Sequence, residues 1–418
     1  MRAYRDRIHG HSGWGQTAVR GLPCRTAGRV RDPPAGPPVM WYVSPFGASD
    51  GASVAVLGDA RIMEQASGSR LRTGLALLLA LAALLAPWSP AAATAREPRA
   101  GGRTGSAWLP YWGDTDAAYR DALRHASQLR TVSPFWYQAT SDTAVTGHQG
   151  AGRRSVIDGL HDAGIDVVPT VTETLGAEEM AGLMHDPQRR TDHVEALLRI
   201  VESRPYDGLD LDYESMAVTR DKEVRARVRT GYSALVEQLC ARLHAREAQC
   251  VVTVPARVRG SGEAFDYEEL GRYADRVRIM GYDLHWSGGE AGPLSARDWY
   301  GEFLRYATGT IPRNKIEVAF PGYGWDWVTG VTGHAAHRTW KEAEALRERE
   351  DAEYLFDERS GTPHFTYRKG GEDHEVWYQD ARGVRELMPL LGKYGVRGTG
   401  LWALGFEDPE TWAALRGE

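Results

Sequence analysis

The run Tyr206-Asp207-Gly208-Leu209-Asp210-Leu211-Asp212-Tyr213-Glu214 has the residue types and spacing for proton chemistry. Side chains of a strand alternate between faces, so Gly208, Asp210, Asp212 and Glu214 share one face and Asp207, Leu209, Leu211 and Tyr213 the other. The acids of the first face stand about 6.7 Å apart, at two residues of ~3.3 Å rise each. The second face is mostly apolar, as expected of a strand covered by helices. Like charges in a protected place raise each other's pKa and cost free energy, so stability does not account for such a row. A carboxyl held there keeps its proton to unusually high pH, which suits a general acid that protonates a leaving oxygen near neutrality. Two other arrangements would use the same residues: a metal site of oxygen ligands, and a solvated edge strand with its acids in water. The apolar flanks argue for burial, and the acids stop where the strand stops.

Positioning these acids requires a scaffold, and the chain beyond Ser106 alternates strand and helix. Strands are expected at 107–112, 131–137, 165–172, 206–214, 250–255, 277–283, 316–320 and 400–404. Helices are expected at 116–129, 155–163, 192–202, 223–246, 383–394 and 409–415. Eight alternations over roughly 320 residues match an α/β fold, the (β/α)8 TIM barrel, whose core takes about 250. Gly324 to Asp380 is polar and turn-rich, with two short strand-like pieces, and forms the excess as a small α+β insertion after the seventh strand. Working residues of such barrels sit at the C-terminal ends of strands, which Glu214 satisfies. Tyr111, Trp136, Trp325, Trp327 and Trp402 also lie at or just past strand ends, where ring faces can stack on sugars.

The pattern Asp207-Gly208-x-Asp210-x-Asp212-x-Glu214 resembles the DGxDxDxE signature of family 18 glycoside hydrolases, the chitinase family. Met280-Gly281-Tyr282-Asp283 resembles that family's Met-x-Tyr-Asp element, and Gly400-Leu401-Trp402 its sugar-flooring tryptophan. The resemblance spans about Ser106 to Glu418. It implies retaining, substrate-assisted hydrolysis next to N-acetylglucosamine, in which the sugar's own acetamido carbonyl attacks its anomeric carbon. Glu214 would be the acid. Asp212 would orient the acetamido group, Asp210 would share a proton with Asp212, and Tyr282 would hydrogen-bond the acetamido oxygen. Asp283 would contact substrate or the acid network, with Met280, Trp402, Tyr111 and Trp136 lining the groove. No metal and no cofactor is implied, and the partner is an N-acetylglucosamine-containing polysaccharide. The stretches Phe320 to Trp327, Val376 to Arg382 and Leu404 to Pro409 resemble a branch of spore-cortex and cell-wall N-acetylglucosaminidases. That branch often carries LysM repeats, and no such repeat is found in this sequence. Family 18 also includes lectin-like barrels that have lost the acid and enzymes that act on N-glycans. The intact Glu214 speaks against the first, and sequence does not decide the second.

Composition agrees with an exported enzyme of a neutral polymer. The sequence has 418 residues, and an apolar run from Leu75 to Ala86, after Arg70 and Arg72, precedes Ala93-Thr94-Ala95, a small-x-small cleavage pattern. Residues 63–95 therefore read as a secretory signal, with an uncleaved signal-anchor as the alternative. Residues 1–62 read as a disordered or untranslated extension, Met63 being a start of ordinary spacing. Beyond residue 95 there are 40 Lys and Arg against 51 Asp and Glu, a formal charge of −11. That balance excludes an ordinary nucleic-acid binder and offers no polybasic membrane patch. A secreted monomer, off the membrane once the signal is cleaved, is the expectation. Cys240 and Cys250 either close a short loop or remain buried thiols.

Overall fold

The computed structural model describes residues 105–331 and 333–418. Residues 1–95, where an extension and a secretory signal are expected, lie outside the described residues. Eight parallel strands form the core: β1 (Gly105–Leu109), β2 (Leu129–Ala139), β3 (Thr170–Glu173), β4 (Gly208–Asp212), β5 (Gln249–Pro255), β6 (Arg276–Met280), β7 (Ile316–Pro321) and β8 (Gly398–Trp402). Each pairs with the next, and β1 pairs with both β2 and β8, so the sheet closes. Closure removes exposed edges and makes a (β/α)8 barrel, the fold that the alternating pattern implies.

Period-two alternation divides the barrel into two environments. Val132, Val171, Leu209, Leu211, Val252, Ile279 and Leu401 face outward and pack under the helices in one large apolar core. Helices Thr115–Arg124, Arg154–Asp162, Pro187–Ser203, Lys222–His244, Arg297–Thr310 and Ala381–Tyr394 supply its outer half. The sugar-sized aromatics gather elsewhere: Trp108, Phe135, Tyr323, Trp327, Trp377 and Trp402 form a second cluster. Cys240, on helix Lys222–His244, is bonded to Cys250 of β5 with an S–S distance of 2.05 Å, which resolves the alternative left by the sequence.

Several boundaries differ from expectation. The third strand is interrupted: Asp166–Val167 pairs with β2, and β3 proper begins after Pro169, which has no N–H to give a ladder. A helix at Ala177–His185 follows it, where the sequence reading placed none. Helix Thr115–Arg124 stops short of Leu129 because the chain must turn to start β2. The acidic strand ends at Asp212, and Glu214 begins a 3-10 turn, Ser215–Ala217.

The insertion is a five-stranded antiparallel sheet in the order Ala336–Thr339, Tyr323–Val328, Glu372–Tyr378, Thr362–Lys369, Leu355–Asp357. Helix Trp340–Arg349 covers one face through Ala343 and Leu346, packed on Phe365, Val376 and Tyr378. Its start is fixed by a reciprocal cap between Thr339 and Glu342. Tyr323–Val328 follows β7 after one residue, so the insertion is rooted at the barrel mouth. Among the described residues no helix is long and apolar enough to cross a membrane.

Candidate active site

Gly208 opens the acidic strand for a steric reason: a Cβ there would lie 2.2 Å from the carbonyl oxygen of Gln249 on β5. Two residues on, Asp210 is fully buried inside the barrel. Its Oδ2 accepts from Trp108 Nε1 at 3.1 Å, Thr170 Oγ1 at 2.8 Å and Arg278 Nη1 at 3.0 Å. Its Oδ1 accepts from Thr253 Oγ1 at 2.8 Å. Donors from β1, β3, β5 and β6 thus fasten one carboxylate. Arg278, 0% exposed, also donates to Glu317 Oε2 at 3.0 Å and Ser133 Oγ at 3.1 Å, and lies 4.4 Å over the Trp108 ring. Glu317 in turn accepts from Arg276 at 2.6 Å and Ser106 at 3.0 Å. Two arginines and two carboxylates therefore balance in the barrel interior, a pairing without which each buried charge would be costly.

Asp212 stands one pleat higher and differs sharply. Its Oδ1 is buried and has no hydrogen-bond partner. Burial pushes its pKa well up, the charges of Glu214 and Asp210 push the same way, and Arg278 opposes them. No hydrogen bond joins Asp210 to Asp212. Four donors hold Asp210, and its charge acts on Asp212.

Glu214 lies at the lip, partly buried. Burial first, then the charges of Glu173 and Asp283, raise its pKa from 4.5 to about 8. Tyr282 and Asp283 follow β6 in the loop beyond its end. Burial raises the pKa of Tyr282 well above its ordinary value, and the fields of Asp212, Glu214 and Asp283 add to this. The four residues stand at or just past the C-terminal ends of β4 and β6. Asp283 has φ +61°, a left-handed conformation that is uncommon outside glycine. Its Oδ1 accepts from Tyr323 Oη at 2.6 Å and Trp325 Nε1 at 2.9 Å, which ties the insertion to the mouth. Burial raises its pKa to about 6 against the pull of those two donors.

Aromatic side chains wall the mouth. Trp402 ends β8 and meets Trp108 and Phe135 edge-on, with ring centroids 5.4 and 5.0 Å apart. Tyr282, Trp112, Trp325 and Phe406 pack against this cluster. Tyr111 borders it, stacked on His148 at 4.0 Å. Met280, buried, follows Arg276 and Arg278 on the inner face of β6. Trp136 does not join them, which corrects its expected place in the groove. Ser133 and Phe135 take the inward positions of β2, so Trp136 points out into the helix-covered core, its ring 6.4 Å from that of Tyr206.

Four participants were missed by sequence reasoning: Arg278, Glu173, Phe135 and Tyr323. Arg278 could have been found, since alternation from Met280 puts it inside. Glu173 ends β3 and gave only the signal of an acid at a strand end. Among the described residues no group of three or more His, Cys, Asp or Glu could hold a metal ion.

A family model described as glycosyl hydrolases family 18 matches residues 173–407. The chain is 27% identical over 240 residues to an uncharacterized glycosylase, YvbX, of Bacillus subtilis, covering 56% of this chain and 67% of that protein. It is 27% identical over 241 residues to the cortical fragment-lytic enzyme of Bacillus anthracis, covering 56% of this chain and only 54% of that enzyme. A chitinase structure from Chromobacterium violaceum aligns with TM-score 0.67 and 27% identity, over 76% of this chain and 98% of that one. The Bacillus cereus spore cortex-lytic enzyme SleL aligns with TM-score 0.66 over 75% of this chain and 74% of that one; at 22% identity it speaks for the fold alone.

Proposed function

The chain belongs to the glycosyl hydrolases of family 18, and from that premise we propose that it cleaves β-1,4 bonds next to N-acetylglucosamine with retention. The substrate class is a chitin-type or cell-wall glycan, the class named by relatives on both sides of the comparison. One observation carries the mechanism: the buried Asp212 oxygen that no protein donor satisfies, set between a saturated Asp210 and Glu214 at the lip. Buried acceptors are seldom left bare, and an acetamido N–H would meet this one.

In this reading Glu214 donates its proton to the glycosidic oxygen. Its raised pKa keeps that proton available near neutrality. The substrate's acetamido carbonyl oxygen attacks the anomeric carbon as the leaving group departs, closing an oxazolinium ring. Asp212 accepts the acetamido N–H and offsets the positive charge that develops. Both the donor and the cation favour its ionised form, so its own pKa falls as the ring forms. Tyr282 donates to the acetamido oxygen, and Trp402 supports the distorted sugar on its face. Water, activated by the now ionised Glu214, opens the ring on the side the leaving group left.

Export is part of the proposal. The Cys240–Cys250 disulfide supports it, because such bonds persist in oxidising compartments. Product analysis by mass spectrometry on chitin oligomers, peptidoglycan and a high-mannose glycan, with wild type and Glu214→Gln, tests the reading. Turnover of one of the first two, abolished by the substitution, is expected. Unchanged hydrolysis in the variant would remove Glu214 from its role. Sugar binding without turnover by wild type would favour a lectin.

A further inference from the structure

We propose that Glu173 is a positioning residue for Glu214, fastening the turn that carries the acid and, once ionised, placing a negative charge beside it. The inference rests on the reading of Glu214 as the acid.

The turn after β4 spends three donors on this one residue. Glu173 Oε2 accepts from the Glu214 backbone N–H at 3.1 Å, and Oε1 from the Met216 N–H at 2.7 Å. The Glu173 carbonyl oxygen accepts from Ser215 Oγ at 3.2 Å. The turn closes on itself through the Ala217 N–H and the Glu214 carbonyl, at 2.9 Å. Residues Glu214 to Met216 are thereby pinned to the end of β3, 41 residues earlier in the chain.

The geometry calls for a carboxyl group at this place. Two N–H donors reach two different side-chain oxygens, and a glutamine offers one oxygen and one NH2 that would face a donor. Yet Glu173 is 4% exposed, and among the described residues no Lys, Arg or His forms an ion pair with it. A buried acid without a counter-ion is unfavourable for stability, so a purely structural role is an expensive solution to holding a turn.

The charge has a use where it stands. Glu214 feels Glu173 and Asp283, and Asp212 feels Glu214; the hydroxyls of Tyr213 and Tyr232 feel Glu173, and those of Tyr282 and Tyr323 feel Glu214. Arg278 acts on this group through Asp212 and Tyr282. Burial raises the pKa of Glu173 itself to about 8, so its charge develops as pH climbs into the range where Glu214 begins to ionise, and there it favours the neutral form a general acid needs.

Glu173→Gln and Glu173→Asp separate anchoring from charge. The assay is kcat and KM for a chito-oligosaccharide over pH 4–10, with circular dichroism melts to establish folding. Glu173→Gln is expected to lower kcat by about 10- to 100-fold with KM within about twofold, and to move the alkaline limb of kcat/KM down by about one unit. Glu173→Asp keeps the charge but is one methylene short; kcat falls, and the limb stays within a few tenths of wild type. If Glu173→Gln does not fold, Glu173→Asp carries the test: unchanged kcat there overturns the proposal. So does an unshifted limb in a folded Glu173→Gln. A wild type that hydrolyses no glycan defeats the reading of Glu214, and this inference falls with it. An active wild type with an indifferent Glu173 defeats this inference alone.

Discussion

Replacing Arg278 by Met keeps an unbranched side chain of similar length in the barrel centre and deletes its charge. The structure gives the ledger for that change. Arg278 is 0% exposed and hydrogen-bonds Asp210, Glu317 and Ser133 at 3.0, 3.0 and 3.1 Å. Without it, Asp210 keeps Trp108, Thr170 and Thr253, three neutral donors, while Glu317 keeps Arg276 and Ser106. The interior then holds two carboxylates against one guanidinium. Breaking a buried pair by removing one partner costs about 3–5 kcal/mol. That is a large part of the roughly 5–15 kcal/mol available to a folded protein. Urea denaturation followed by tryptophan fluorescence measures it as a fall in midpoint at constant slope. Arg278→Met combined with Glu317→Met also breaks the Arg276–Glu317 pair at 2.6 Å and leaves Asp210 and Arg276 each without its partner, so it is expected to be no more stable than the single variant. Catalysis should not recover in it either. Arg278 lowers the pKa of Asp212, so both variants leave Asp212 less able to ionise, and kcat stays down about tenfold. A single variant that loses under about 1 kcal/mol, or a double variant more stable than the single, would refute this reasoning.

Activity should be flat toward neutrality and fall as pH rises through about 8, since Glu214 must be protonated to act; the kcat/KM pH profile of the wild type checks this, and an alkaline limb absent near 8 would contradict it. The same shift has a stability sign. A carboxyl raised from 4.5 to about 8 adds stability that is fully present below pH 4.5 and is lost as pH climbs through 8, so Glu214→Gln should raise the melting temperature at pH 9 and leave it near wild type at pH 4. Trp402→Ala should raise KM for chito-oligosaccharides by about 10-fold or more, measured by initial rates, because it deletes the ring face at the end of β8. Cys240→Ser with Cys250→Ser should cost about 2.5–3 kcal/mol in urea denaturation, as expected for closing a loop of this size, with kcat little changed.

The strand bearing Asp210 and Asp212 was legible because a barrel strand obeys a strict period of two and its outward residues are apolar. The barrel followed from the same rule applied to eight runs. Legibility failed where neighbours, rather than the local pattern, set a side chain's direction. Trp136 follows an inward Phe135, and a register irregularity lies between Phe135 and Tyr137, so proximity to the strand end did not aim it at the mouth. Glu173 matters through backbone N–H groups 41 and 43 residues away, a relation no local window contains. The insertion read as two strands because Tyr323–Val328 and Glu372–Tyr378 are rich in aromatic and charged residues, and their pairing became visible only with the sheet assembled. Asp283 stands just past β6, and its tie to Tyr323 and Trp325 depends on a positive φ that sequence does not disclose.

Substrate assistance makes a stereochemical claim that no binding assay reaches. Proton NMR of the first-formed reducing end during hydrolysis of a chito-oligosaccharide, or of a wall glycan should that prove the substrate, resolves the two anomers before they equilibrate. The account predicts that the β-anomer appears first, since displacement by the sugar's own amide is followed by displacement by water. Initial appearance of the α-anomer would mean direct attack by water, and Asp212 would lose the role assigned to it.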